Sequence, residues 1–254
     1  MRWVLLLLCV LLPCSNAKAE SVFSLDARTD IVLGTITLGV LTGYLLIENP
    51  PNQVPDSLSR SDVNALDRSL MVTRLNPSIK SISDVTVVSM GFLPVLSVVG
   101  NLNRNTLITY GVMYSQAMLL AHGTNRLLKN NITRFRPYLH DGRALSVNDR
   151  HDSFPSGHTC AAFLFATFFA TTFSMENPDS RWKWPVIAGS HVFAASVGAM
   201  RMLSGMHFLT DVLAGAAIGS FYGWLIPYLH RNTASNTDFP VAFTGNGLLV
   251  SLRL

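Results

Sequence analysis

Six apolar runs alternate with polar segments along this chain. They lie at residues 31–47, 85–99, 106–120, 160–175, 184–200 and 212–229. Each run ends in glycine, asparagine, proline or a charged residue, which are the usual signals for the end of a helix. The runs approach the length of about 20 residues that crosses a bilayer. The pattern predicts an all-α fold, a bundle of about six core helices that is embedded in a membrane or lies against one.

The segments between and after these runs have a different pattern. Residues 50–80 are polar and rich in proline, which predicts a connector with a short amphipathic helix around 63–72. Residues 241–254 mix apolar residues with threonine, glycine and asparagine, and the Asn246-Gly247 pair predicts a turn between two short strands. This tail therefore has a predicted hairpin, but its sequence indicates no function.

The N-terminus has the pattern of a secretory signal. Arg2 precedes an apolar stretch at 4–12, and Ala17-Lys18-Ala19 supplies small residues for cleavage; a short uncleaved anchor is the alternative. This interpretation divides the chain into four parts. They are a signal peptide (1–19), an apolar helix with a polar connector (20–83), a helical domain (84–232) and a tail (233–254).

Composition supports a membrane location. Only 13% of the residues are charged and 49% are hydrophobic, whereas soluble domains carry about 25% charged residues. The net charge of +4 is modest and no run of five basic residues occurs, so a nucleic-acid partner is not predicted. Cys160 alone would remain after signal cleavage, which excludes an internal disulfide.

Three polar segments interrupt the apolar pattern, and each contains residues suited to bind or attack a phosphate. The first is Lys129, six residues and then Arg136-Pro137; the second is Pro155-Ser156-Gly157-His158; the third is Arg201, five residues, His207, three residues and Asp211. In the second segment, Ser156 is a suitable N-cap for the following helix. A helix N-terminus offers free N–H groups and a positive dipole end, which favour a phosphate beside His158.

The residue types fit phosphate ester hydrolysis without a metal. Lysine and arginine can neutralise the phosphate oxygens, and a guanidinium can bind two of them at once. His207 and Asp211 are four residues apart, so on a helix they share one face. A carboxylate that binds one ring nitrogen leaves the other nitrogen free to attack phosphorus.

Taken together, in this order and with this spacing, the three segments resemble the type 2 phosphatidic acid phosphatase (PAP2)/vanadium haloperoxidase superfamily. The resemblance covers residues 84–230, and one position departs from it, since Met200 stands where the family usually has serine. The resemblance implies that His207 is a nucleophile that becomes phosphorylated, that Asp211 orients it and that His158 is the acid for the leaving group. The phosphate contacts that it implies are Lys129, Arg136, Ser156, Gly157 and Arg201, with no metal and no other cofactor.

The expected function is that of a metal-independent phosphatase acting on a lipid or polyprenyl phosphate or diphosphate. The expected partners are this phosphorylated substrate, or another phosphate ester, and the membrane. Two alternatives stay open: a vanadium-dependent haloperoxidase-like enzyme, and a non-catalytic membrane scaffold or lipid-binding protein. Outside the motifs, we interpret some residues as parts of a solvated loop and others as structural. The first group is Arg134, His140, Arg143, Arg150 and His151, and the second is His122 and His191.

The orientation of the site gives two conflicting predictions. Arg104, Arg181, Lys183 and Arg231 lie at the helix ends opposite the motifs, so the positive-inside rule places the motifs outside the cytoplasm. Alternation from a cleaved signal through six spanning helices places them inside. The conflict disappears if one N-terminal run does not cross, or if the domain is a soluble periplasmic bundle. We therefore favour a membrane protein whose site faces the periplasm or the outside.

Overall fold

The computed structural model describes residues 22–47, 58–99, 102–141 and 152–232, together with the backbone of 241–244 and 247–250. The α-helices in these ranges are α1 (Ala27–Leu46), α2 (Ala65–Leu70), α3 (Pro77–Met90), α4 (Arg104–Asn131), α5 (Gly157–Glu176), α6 (Lys183–Leu203) and α7 (Leu209–Leu229). Short 3-10 helices lie at Arg60–Asp62, Leu93–Val98 and Pro137–Asp141. Two strands, β1 (Val241–Thr244) and β2 (Gly247–Val250), follow the last helix.

The predicted all-α bundle is confirmed, and each of the six apolar runs is helical. The run at 85–99 is divided between two helices, because α3 ends at Met90 and a 3-10 helix begins at Leu93. Gly91 and Pro94 mark this break, and proline lacks the N–H group that a continuous α-helix would use there. The short helix predicted around 63–72 is α2.

Helix α5 is the centre of the bundle and packs against α3, α4, α6 and α7. Its span is 61% buried, whereas the other spans of similar length and hydropathy are 11–28% buried. Leu164 and Phe168 of α5 are almost fully buried in a core that includes Met113 and Ala117 of α4 and Val197 of α6. The motif at the start of α5 is therefore fixed to the best-packed helix among the described residues.

Three glycines of α7 form the seam with α5. A Cβ atom added at any of them would collide with a backbone carbonyl oxygen of α5 or its N-cap. The pairs are Gly215 with Ser156, Gly219 with Cys160 and Gly223 with Leu164. Small residues at four-residue spacing let two helix backbones approach closely, as expected from the sequence. The seam holds the start of α7, which contains the last residue of the third motif, Asp211, beside the start of α5.

Five helical segments are long and apolar enough to cross a membrane: Ala27–Leu46, Pro77–Val98, Gly157–Glu176, Lys183–Leu203 and Leu209–Leu229. Large apolar side chains on their outer faces are exposed, among them Ile31, Val85, Trp184 and Leu213. Hydrocarbon, unlike water, is a suitable solvent for such faces. Length, composition and exposure together are those of a membrane protein.

Two predictions concern the ends of the chain. The hairpin is confirmed, since β1 and β2 pair antiparallel with Val241 opposite Val250 and Thr244 opposite Gly247. Gly247 thus belongs to β2, and the loop residues 245–246 lie outside the described residues. The predicted signal peptide at 1–19 and the loop residues Arg143, Arg150 and His151 also lie outside them.

Candidate active site

The three motifs meet at one end of the bundle around a cavity of about 390 Å³. The helices carry them there from distant parts of the chain, because the end of α4, the start of α5, the end of α6 and the start of α7 lie side by side. The cavity lining includes six of the eight residues predicted for the site: Lys129, Arg136, Gly157, His158, Arg201 and His207. The other two, Ser156 and Asp211, are fully buried behind this wall.

Ser156 is the N-cap of α5, as its sequence position predicts. Its hydroxyl accepts a hydrogen bond from the N–H of Thr159 and lies 2.9 Å from the Thr159 hydroxyl. The resemblance assigns this hydroxyl to the phosphate, but in the structure it is used within the first turn of α5. Gly157 and His158, the first two residues of the helix, face the cavity instead.

The three cations are held by backbone and side-chain acceptors. Lys129 Nζ donates to the carbonyl oxygen of Asp152 at 2.6 Å, and an Arg136 N–H group donates to the carbonyl oxygen of Met206 at 3.1 Å. Arg201 binds Asp84 at 2.9 Å, while its buried Nε has no hydrogen-bond partner among the described residues. These contacts fix the positions of all three cationic groups on the cavity wall.

The two nitrogens of His207 have different environments. Nδ1 lies 2.7 Å from the carbonyl oxygen of Ser153, which can only accept a hydrogen bond. Nδ1 therefore carries the proton in the neutral ring, and Nε2 keeps its lone pair. Nε2 is 3.4 Å from the Arg136 guanidinium, and His207 lines the cavity. This tautomer presents an unprotonated nitrogen beside the cations.

The Asp211 carboxylate does not form the hydrogen bond to His207 that the spacing suggests. Its Oδ2 is 3.7 Å from His207 Nδ1, and it accepts instead from the Ser153 hydroxyl at 2.6 Å and the Phe208 N–H at 2.8 Å. Ser153 thus stands between the two side chains, with its hydroxyl on Asp211 and its carbonyl oxygen on His207. Asp211 and His207 are thus connected through Ser153.

Arg134 is not a solvated loop residue, contrary to the interpretation of the sequence. It binds the carboxylates of Asp211 and Asp67, donates to the Thr210 hydroxyl at 2.7 Å and lies 4.3 Å from the centre of the Phe208 ring. Asp67 is fully buried in α2 and also accepts from the Thr210 N–H and hydroxyl. The polar connector is therefore attached to the start of α7 by this network. In the sequence, this network is indicated only by one arginine, Arg134, which lies between Lys129 and Arg136.

Asp84 is the main site residue that the sequence does not reveal. It lies on α3 and contacts His158 Nε2 at 2.8 Å, Arg201 at 2.9 Å and Lys80 at 3.0 Å. No motif includes it, and a lone aspartate 45 positions before Lys129 carries no spacing signal. The folded structure therefore has a carboxylate already bound to the histidine of the second motif and to the arginine of the third.

Three further histidines have different environments. His191 lies 3.1 Å from the Thr167 hydroxyl and 2.8 Å from the Ile187 carbonyl oxygen, which fits the predicted structural role. His140 packs against the Phe208 ring and is half-buried rather than solvated. His122 lines the cavity, which its interpretation as a structural residue did not anticipate.

Burial and neighbouring cations lower the pKa of two site residues. Burial, followed by the charge of Arg136 and of Lys129, holds the pKa of His207 well below its usual value of 6.5, which keeps the ring neutral. Burial and the Arg136 charge also lower the pKa of Lys129 to about 8. The neutral ring of His207 is suited to a nucleophile. A bound phosphate would favour the charged form of Lys129, which is suited to bind an anion.

Comparison with known families supports the resemblance. The family model described as PAP2 superfamily matches residues 110–234, a segment that holds all three motifs. The superfamily predicted from the motifs is therefore confirmed.

Individual relatives cover the same part of the chain. A lipid A 1-phosphatase of Porphyromonas gingivalis is 35% identical over 119 residues, which are 45% of this chain and 23% of that protein. Phosphatidylglycerophosphatase B of Bacillus subtilis is 33% identical over 113 residues, 43% of this chain and 54% of the relative. A lipid phosphate phosphatase of Arabidopsis thaliana is 32% identical over 127 residues, 42% and 38% of the two chains. The chain thus spans about half the length of these relatives or less.

Among solved structures, a transmembrane PAP2 type phosphatidylglycerolphosphate phosphatase from Bacillus subtilis is similar. The match covers 78% of this chain and 94% of that one, with 23% identity and a TM-score of 0.44.

Proposed function

We propose that this protein is a membrane-bound lipid phosphate phosphatase that hydrolyses its substrate through a phospho-histidine and needs no metal. The observation that carries the proposal is the neutral His207, whose Nε2 lone pair lies in a cavity that Lys129, Arg136 and Arg201 also line. The exposed apolar faces of the bundle favour a substrate held in a bilayer. The lipid phosphatases among the relatives support the same substrate class.

The first half of the proposed reaction transfers the phosphoryl group to the enzyme. His207 Nε2 attacks phosphorus, the N–P bond forms and the P–O bond to the lipid breaks. The three cations balance the charge on the phosphoryl oxygens, with the guanidinium groups suited to bind two oxygens each. His158, in the first turn of α5, gives its proton to the departing lipid oxygen.

The second half restores the enzyme. Water attacks the phosphoryl group, the N–P bond breaks and His158 takes a proton from the attacking water. The three cations bind the inorganic phosphate that forms, which then leaves the cavity. Each residue has one task in this scheme: His207 forms the covalent bond, His158 moves the proton, and Lys129, Arg136 and Arg201 bind the anion. Ser153 and Asp211 hold the ring of His207 in its tautomer.

The test is phosphate release from phosphatidate in detergent micelles with EDTA present. The wild type should turn over and be inhibited by vanadate, and His207→Ala should lose at least about a thousandfold in kcat, as expected for loss of a nucleophile. His191→Gln is the matched control, because this histidine is bonded outside the cavity and should retain activity. Acid-labile label on the wild type from 32P-phosphatidate would identify the covalent intermediate.

Three results would contradict the proposal. They are an active His207→Ala protein, activity that EDTA abolishes, and vanadate-dependent bromination in place of phosphate release. The last result would support the haloperoxidase-like alternative, and tight lipid binding without turnover would support the scaffold.

A further inference from the structure

One wall of the cavity is not used by the reaction described above. His122, Asn125 and Arg126 line the cavity together with Lys129, and all four residues lie on α4. Their spacing of three, four and seven residues places them on one face of the helix. The first motif is therefore the end of a longer polar stripe that faces the same space.

The cavity is larger than the transferred group requires. A phosphoryl group with its attacking and leaving atoms comprises about six heavy atoms. At roughly 30 Å³ for each water-sized group, 390 Å³ holds about a dozen. A substrate therefore has room for further polar atoms next to the phosphoryl group, on the side of the α4 stripe.

Arg126 gives this wall a positive charge. Its ion pair with the Asp152 carboxylate is 3.7 Å long, which exceeds a hydrogen bond, and its side chain is 41% exposed. On the other wall, Lys80 is held at 3.0 Å by Asp84. Arg126 can thus turn towards an anion in the cavity without breaking a short ion pair.

Asn125 places its amide oxygen beside the start of α5 and leaves its amide nitrogen without a partner among the described residues. Asn125 is only 4% exposed, and its amide nitrogen Nδ2 is buried with no hydrogen-bond partner among the described residues. Its Oδ1 lies beside the start of α5, 3.5 Å from the position that a Cβ atom on Gly157 would occupy. A rotation of the amide exchanges these two atoms and brings the NH₂ group to that position, where a bound anion would accept its hydrogen bond.

We propose that His122, Asn125 and Arg126 form a second anion subsite, which binds a further phosphate of the substrate next to the phosphoryl group that is transferred. The inference rests on the proposed function and narrows its substrate class to lipids with two phosphates. The two phosphates are either directly joined, as in a diphosphate, or separated by a short headgroup.

The test compares paired substrates, one with two phosphates and one with a single phosphate; the second pair differs by a glycerol as well. Farnesyl diphosphate is paired with farnesyl monophosphate, and phosphatidylglycerophosphate with phosphatidate. For each pair, the ratio of kcat/KM with two phosphates to kcat/KM with one is measured for the wild type and for Arg126→Gln. We expect the ratio to fall about tenfold in at least one pair, and that pair identifies the spacing of the phosphates.

Arg104→Gln is the matched control, because Arg104 begins the same helix at the end away from the cavity. Its ratios should equal those of the wild type. Asn125→Asp is a second variant, in which a carboxylate would repel the second phosphate and lower the same ratio. A melting temperature within a few degrees of the wild type shows that each variant is folded. Ratios that Arg126→Gln leaves unchanged in both pairs would overturn the proposal.

Binding without turnover separates this proposal from the proposed function. Calorimetric titration with pyrophosphate and with orthophosphate needs no catalysis, and the wild type should bind pyrophosphate about tenfold more tightly. Arg126→Gln should lose this preference. If the wild type hydrolyses none of the lipids but shows the preference, the reaction is wrong and the subsite stands. Equal affinity for both anions in the wild type would overturn the subsite.

Discussion

Ser153 connects the two residues that the motif spacing alone would pair directly. Its hydroxyl donates to Asp211 at 2.6 Å and its carbonyl oxygen binds His207 Nδ1 at 2.7 Å, with the serine fully buried. The direct distance from Asp211 to His207 is 3.7 Å. The Asp211 carboxylate therefore helps to fix the position of the Ser153 carbonyl group, and this carbonyl group helps to fix the orientation of the His207 ring. Ser153 is a positioning residue in this arrangement.

Loss of the Ser153 hydroxyl should slow the reaction without weakening substrate binding. We expect Ser153→Ala to lower kcat about tenfold, equivalent to about 1.4 kcal/mol, with KM nearly unchanged. In an Asp211→Asn background the same change should cost little more, because the two groups act through one contact. Ser196→Ala is the control, because this half-buried serine of α6 bonds only within its own helix among the described residues. Additive losses, or a change confined to KM, would contradict this role.

Lys129 predicts a dependence on alkaline pH. It is charged below its pKa of about 8 and neutral above it, so the cation that we propose as a phosphate ligand is lost as the pH rises through this value. We expect kcat/KM of the wild type to fall above about pH 8. Lys129→Arg keeps its charge at these pH values and should move the decline to higher pH. An unchanged alkaline limb in this variant would show that another group titrates.

The residues that could be predicted for the site are those with fixed spacing in sequence. Lys129, Arg136, His158 and His207 line one cavity, as the motifs indicate. Asp84, Ser153 and Asp67 could not be predicted, since each acts through a contact with a residue from a distant segment. Such contacts depend on how helices pack, which local periodicity does not specify.

At the scale of elements, the seam between α5 and α7 sets the geometry of the site. The glycines of α7 bring its backbone against α5, so the starts of the two helices, with the second and third motifs, lie together. The sequence indicates close packing through its small residues, but not which helix is the partner. The break between α3 and the 3-10 helix at Leu93–Val98 was foreseeable, because Gly91 and Pro94 interrupt the run.

Gly219→Ala should destabilise the bundle. A methyl group there would collide with the carbonyl oxygen of Cys160, and overpacking of this kind costs about 1–3 kcal/mol or more. Gly189→Ala is the matched control in α6, where the new methyl group meets open space. The control should be neutral or more stable by about 0.5–1 kcal/mol. Unfolding midpoints of the solubilised proteins test both, and equal midpoints would refute the role of the seam.

For the whole molecule, the orientation across the membrane stays a prediction. Arg104, Lys183 and Arg231 lie at the end of the bundle away from the cavity, as the sequence indicates. The connector adds basic residues at the cavity end, where Arg68 follows Asp67, which binds Arg134. Basic residues are thus present at both ends of the bundle.

Labelling of single cysteines in intact cells can decide the orientation. Ser61→Cys reports on the cavity end and Asp179→Cys on the opposite end, and both positions are exposed. In a background without the three native cysteines, we expect a membrane-impermeant maleimide to label residue 61 and to spare residue 179. Permeabilised cells, in which both should react, are the control. The reverse pattern would place the cavity in the cytoplasm.

The carboxylate of Asp84 has a consequence for how phosphate enters and leaves. Since Asp84 already binds His158 and Arg201, an arriving phosphate exchanges with an internal anion instead of filling an unoccupied positive site. After hydrolysis, the same carboxylate can reclaim its partners and expel the product. Asp84→Asn should therefore make inorganic phosphate about fivefold more inhibitory, whereas Asp179→Asn should not. Equal inhibition of both variants by phosphate would mean that Asp84 does not compete with phosphate for His158 and Arg201. If Asp84 does compete, the enzyme releases its phosphate product more readily.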